Sequence, residues 1–314
     1  MRPYLFFLVF FTALLGGCGG QKDTADDTNE TAPRDSGLWH VAVMPTADCL
    51  PLFLAADHGF FQQAGVKVAL DCYQAQMDVD TALQGGSASI GVTDLVRAQK
   101  LEREGLTLHY LTATNASWQL VSNRLARIRK LQHVDDKMVA MTRYSATDLL
   151  SDVLVDSARL KPERVFRIQV NDVDVRMGML QAGIMDAMFL PEPFATEARL
   201  HKHPVLLDTR LMDLQLGAVV ATQPFALQHG DELKAFVSAY NQAVDSLNQL
   251  GISAYRTLVA RRLGVNDAVV DSMGRSITSF IPAVQPREKD VEYVRNWWEK
   301  RIASMTYVEK RYIQ

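Results

Sequence analysis

Ten residues offer hydrogen-bonding chemistry at recurrent places along the chain: Thr46, Asp48, Thr93, Asp94, Asn115, Tyr144, Ser145, Asn171, Asp172 and Glu192. Each follows a stretch that reads as a β-strand, and open α/β sheets gather ligands just beyond the carboxyl ends of their strands. Ser, Thr, Asn and Asp also cap the helices that begin there, so the reading as a binding site rests on their convergence at one edge. The same segments hold Asp48, Asp94, Asp148, Asp172 and Glu192 against the single fixed cation Arg143. Such a surplus of acceptors favours a small molecule with N–H donors or positive charge. Tyr144, Trp118, Tyr73 and Phe189 offer faces for a flat ring. A site for an oxyanion would want Arg or unopposed N–H groups instead.

Catalytic patterns are missing from the sequence. There is no nucleophile elbow, phosphate loop or dinucleotide-binding glycine run. His201 and His203 stand two residues apart and would not share a helix face, so they make no ready metal pair. The expectation is a non-enzyme with no cofactor and no metal site.

The elements that must position the polar residues alternate in kind. Trp39 to Met44, Val66 to Leu70, Ala88 to Val92 and Leu106 to Leu111 read as strands, with helical spacing over Leu50 to Ala64 and Val79 to Gln84. A second series follows: strands at Gln119 to Ser122, Met138 to Met141, Val165 to Val170 and Ala187 to Leu190, with helices at Ala146 to Ala158, Val173 to Gln181 and Pro193 to His201. Leu216 to Ala221 reads as an extended return segment, and Leu227 onward is helical. This βαβ order predicts parallel sheets flanked by helices. The stretches beginning at Ala82 and Met179 both read Leu-Gln-x-Gly before a buried strand, an echo that predicts two related lobes.

The 314 residues carry 33 Lys and Arg against 36 Asp and Glu, a net charge of −3 that points away from nucleic acid. Arg2 precedes an apolar run from Leu5 to Leu15 that is too short to span a bilayer of about 30 Å and reads as a targeting segment. Leu15-Gly16-Gly17-Cys18 resembles a bacterial lipoprotein lipobox, which implies a signal peptide at 1–17, lipidation of Cys18 and a membrane anchor in the cell envelope. Residues 19–37, acidic and without large apolar side chains, read as a disordered tether. In that oxidising compartment Cys49 and Cys72 form an even pair, either bridged or two buried thiols. Cys49 follows the first strand and Cys72 ends the second, so a parallel sheet would put both at one edge.

Thr46 to Val68 (TADCLPLFLAADHGFFQQAGVKV), with its Ala-x-x-x-Gly-Phe-Phe helix end and Gly-Val-x-Val strand, resembles the thiamine-pyrimidine and sulfonate branch of the ABC-transporter solute-binding proteins. Leu131 to Asp148 and Val175 to Ala195, the latter ending in Glu192-Pro193, are similar to two further stretches of that family. The resemblance implies a two-lobed periplasmic binding protein-like type II fold. Lobe 1 would be 38–118 plus 216–314 and lobe 2 would be 119–215, with Ser117 to Ser122 and Leu216 to Thr222 as hinge strands. It also implies a monomer that holds a small solute, such as a thiamine-pyrimidine-like heterocycle, between the lobes and delivers it to an ABC permease. A lipoprotein that senses a ligand for a membrane partner is the second reading, and an enzyme of pyrimidine synthesis with the same fold is the third.

Overall fold

The computed structural model describes residues 37–305. The signal segment at 1–17, Cys18 and all but the last residue of the tether expected at 19–37 lie outside those residues. The strands are β1 (Leu38–Val43), β2 (Lys67–Cys72), β3 (Ile90–Asp94), β4 (Leu108–Ala113), β5 (Trp118–Ser122), β6 (Lys137–Met141), β7 (Val165–Gln169), β8 (Ala187–Pro191), β9 (Val205–Asp208) and β10 (Gly217–Thr222). The helices are α1 (Leu50–Asp57), α2 (Phe60–Gln63), α3 (Gln76–Gln84), α4 (Leu95–Arg103), α5 (Ala146–Ala158), α6 (Val173–Gln181), α7 (Phe194–Leu200), α8 (Gln223–Gln228), α9 (Gly230–Leu250), α10 (Arg256–Leu263), α11 (Asp267–Ser276) and α12 (Glu288–Ser304).

Two five-stranded sheets organise them, in the orders β2-β1-β3-β10-β4 and β7-β6-β8-β5-β9. Each contains four strands that point one way and one return strand that opposes both of its neighbours. That strand is β10 in the first sheet and β5 in the second. The expected hinge strands are therefore interior members of the sheets, and the chain passes between sheets through the short links 114–117 and 212–216. β8 reads as a near-continuous apolar run, and β3 is buried along its whole length although it ends in Thr93 and Asp94.

A third connection joins the sheets. From α12, the Trp298 indole N–H donates to the carbonyl of Val96 on α4, while the Trp297 indole N–H donates to Asp152 on α5. One apolar cluster accordingly runs from Leu95 and Val96 through Val294 and Trp298 to Leu149 and Leu150. A separate cluster lies beneath the first sheet, where Phe53, Phe61, Phe236 and Tyr240 of α1, α2 and α9 pack together.

The cysteine pair is a correction. Cys49 and Cys72 are free thiols, the first buried and the second exposed. Cys49 sits in the single turn that follows β1, within 3.5 Å of Thr46 Oγ1, whereas Cys72 ends the edge strand β2 opposite Val43. Sharing a sheet edge thus leaves one thiol inside the lobe and the other at its surface.

Candidate functional site

Helix starts bring the polar residues together. Asp94 ends β3 and caps α4 by accepting the N–H of Arg97; Ser145 follows β6 and caps α5 by accepting the N–H of Thr147; Asp172 follows β7 and caps α6 by accepting the N–H of Val175. All three helices thus begin at the edge where the sheets face each other. Around Ser145 the hydroxyls interlock: its Oγ donates to the Thr142 carbonyl at 2.8 Å, and Thr147 Oγ1 accepts the Thr142 N–H at 2.8 Å.

Thr46, Asp48, Thr93 and Asp94 from the first lobe share one cavity with Thr142, Ser145, Asn171 and Arg176 from the second. Its volume is about 70 Å³. An outer chamber of about 380 Å³ adjoins it, lined by Asn115, Glu192, Arg210 and the stretch Ser276 to Phe280, and Asp48 and Pro191 line both. Direct contacts close the cleft on either side: the Ala47 N–H donates to the Glu192 carbonyl at 2.9 Å, Ala75 and Asp172 form an isolated antiparallel bridge, and α11 packs on α7.

Of the ten residues named from sequence, six line the inner chamber and Asn115 and Glu192 line the outer one. Tyr144 and Asp172 line neither. The Tyr144 ring stacks on Trp298 with centroids 5.6 Å apart, and Asp172 is engaged as a helix cap. Glu192 is spoken for as well, since its carboxylate pairs with Arg199 at 2.9 Å and accepts the Thr196 N–H. Gln76, Trp118, Thr142, Thr147 and Arg176 also line the inner wall. The Gln76 amide is held in place by donating to Val92 O and Thr93 Oγ1.

Charges are set unevenly around this space. Asp48 accepts a hydrogen bond from Thr114 Oγ1 at 3.1 Å, and among the described residues no Lys, Arg or His ion-pairs with it. Withdrawal from water lifts its carboxyl above the usual range, although the Thr46 and Thr114 hydroxyls oppose that rise. Asp94 is only 4 % exposed, and burial pushes its carboxyl up to about 6, against the pull of the Arg97 N–H and guanidinium. Arg97 is itself taken by Asp80. Opposite them, Arg176 is 2 % exposed, and desolvation lowers it to about 10, still a cation at neutral pH. No group of three or more His, Cys, Asp or Glu among the described residues is placed to hold a metal ion.

Two α/β lobes joined by paired crossings, with a polar cleft between their strand ends, define the type II periplasmic binding protein-like fold. Residues 46–249 match the family described as NMT1/THI5 like, and the chain belongs to that family. Solved structures share the fold at low sequence identity. The alkanesulfonate-binding protein SsuA from Xanthomonas axonopodis pv. citri, bound to MOPS, is 19% identical with a TM-score of 0.72, over 85% of this chain and 93% of that one. The periplasmic aliphatic sulphonate binding protein SsuA from Escherichia coli is 18% identical with a TM-score of 0.70, over 85% and 94%. The nitrate-binding protein NrtA from Synechocystis PCC 6803 is 14% identical with a TM-score of 0.66, over 75% and 69%. No curated protein matches the sequence.

Proposed function

We propose that this chain is the solute-binding protein of an ABC importer, anchored in the cell envelope through lipid on Cys18, and that it captures a small solute bearing N–H donors or positive charge. An aminopyrimidine or another nitrogen heterocycle is the leading class. The observation that carries the ligand reading is Asp48, a carboxylate on the wall of both chambers that ion-pairs with no Lys, Arg or His among the described residues. A bound ammonium, amidine or aminopyrimidine would supply the missing counter-charge, and Asp94 in the same cavity reinforces the preference. Solute held between the lobes touches both and so favours the shape in which they meet, since a ligand shifts an equilibrium only by its differential affinity. The structural relatives that bind sulfonate or nitrate support the transport role through their shared fold.

The test is a thermal-shift screen of the full-length protein in detergent against aminopyrimidines, primary amines, sulfonates and nitrate. A solute at 100 times its Kd adds about 2.7 kcal/mol of stability. A shift with the nitrogenous compounds supports the reading; a shift with the anions alone refutes it. Replacement of Cys18 by Ser is expected to move the protein from the membrane fraction to the soluble one, and an unchanged distribution would remove the lipid anchor.

A further inference from the structure

Arg176 is unusual in having only uncharged acceptors. Its Nε donates to the Val170 carbonyl at 2.6 Å, its Nη1 to the Phe189 carbonyl at 2.9 Å, and its Nη2 to Thr142 Oγ1. A guanidinium carries five N–H donors in a fixed fork, so two remain without an acceptor among the described residues. No carboxylate forms an ion pair with it there. Asp172, one turn earlier on α6, draws on it through space without forming an ion pair, which offsets only part of the cost of burying the charge. Arg176 nevertheless lines the inner chamber, held by the ends of β7 and β8.

The same chamber presents Asp48 and Asp94 from the other lobe. It therefore carries carboxylate on one wall and guanidinium on the wall that faces it, with no ion pair between them. Resting on the solute-binding reading above, we infer that the cargo is a small zwitterion, whose ammonium or amidinium end faces Asp48 and Asp94 and whose carboxylate or other oxyanion end faces Arg176. Such a molecule satisfies both walls, and neither end alone does. The inner chamber's volume of about 70 Å³ suits a short molecule with its two charges at opposite ends. Because opposite charges belong to opposite lobes, a zwitterion bridges them, whereas a simple cation engages only the first.

Isothermal titration of the full-length protein with γ-aminobutyrate, n-butylamine and butyrate tests this. The zwitterion is expected to bind at least about tenfold more tightly than either truncated probe, since a hydrogen bond to a charged group is worth about 1.5–3 kcal/mol. In Arg176→Gln the advantage of γ-aminobutyrate over n-butylamine should vanish. An n-butylamine affinity equal to that of γ-aminobutyrate in the unaltered protein overturns the inference and leaves the cationic reading standing. Equal losses for both probes in Arg176→Gln would make Arg176 a strand-end support and also overturn it. Should that variant fail to fold, the series on the unaltered protein decides alone. If none of the three binds while an aminopyrimidine does, only the zwitterion falls; if nothing nitrogenous binds, both readings fall.

Discussion

The guanidinium of Arg301, on the last turns of α12, stands with Nη2 2.5 Å from Oδ1 of Asp148, a carboxylate with 0 % exposure in the first turn of α5. The other Asp148 oxygen accepts the Tyr144 N–H at 2.9 Å. One carboxylate thus ties the C-terminal helix to the turn that carries the cleft hydroxyls.

Arg301→Met should destabilise the protein by on the order of 2 kcal/mol. Orphaning a buried charge costs about 3–5 kcal/mol, reduced here because Arg301 remains partly exposed. Urea unfolding followed by circular dichroism checks this, and an unchanged midpoint would show the pair to be incidental.

Asp48→Asn should leave the unliganded protein as stable at pH 7 or slightly more so, while weakening a cationic solute at least about tenfold. The sign follows from the raised carboxyl: the folded state binds the proton more tightly than the unfolded one, so this group's contribution is largest in acid and is lost as pH rises. Solute affinity should run the other way and fall as acid protonates Asp48. Titration from pH 7 down to pH 4 gives the answer, and a flat affinity would detach Asp48 from the solute.

Asp94 offers a sharper pH test, with its carboxyl raised from the ordinary 3.8 to about 6. Stability should decline between about pH 4 and pH 6 by on the order of 2–3 kcal/mol from this group. Asn is also a good helix cap, so Asp94→Asn should flatten that slope without loosening α4. Melting temperatures of the two proteins across that range would be compared, and parallel curves would contradict the assignment.

Gly217→Ala should cost about 1–3 kcal/mol by overpacking. A Cβ there would clash with Thr114 Oγ1 and Ala116 Cβ, in the link between the lobes. Moving Thr114 also removes the hydrogen bond to Asp48, so solute affinity should drop together with stability. Full retention of both would mean the link yields freely.

Native alkylation should modify Cys72 and spare Cys49 until the chain is unfolded. Burial raises both thiols, Cys49 far more, so labelling of Cys72 should quicken above neutral pH. A Cys49–Cys72 linked peptide in unreduced digests would overturn the free-thiol assignment.

Much of the architecture was legible because pattern and cap agreed. Ala146 to Ala158 and Val173 to Gln181 are helices over the predicted spans, each preceded by the capping residue its start requires. α4 and β9 were not read. Arg97 and Gln99 are buried in α4, where Asp80 and the Val291 carbonyl take them up, so its inner face does not look apolar. β9 is only four residues long. Strand-end position located the cleft, but it does not separate a cap such as Asp172 from a wall residue such as Asn171. Arg176 did leave a trace: it falls on the stripe of Val173, Met177 and Leu180, where helical spacing calls for an apolar side chain. A lone cation on a buried stripe has to be matched by something.

The hydrogen bond from the Ala47 N–H to the Glu192 carbonyl joins the lobes backbone to backbone. Such a bond carries no information about side chains. Substitutions at Asp48 or Arg176 can therefore change what is held without redrafting how the jaws meet. Cargo preference and the mechanics of closing are then separable traits, and a descendant of this chain could change its diet while keeping its bite.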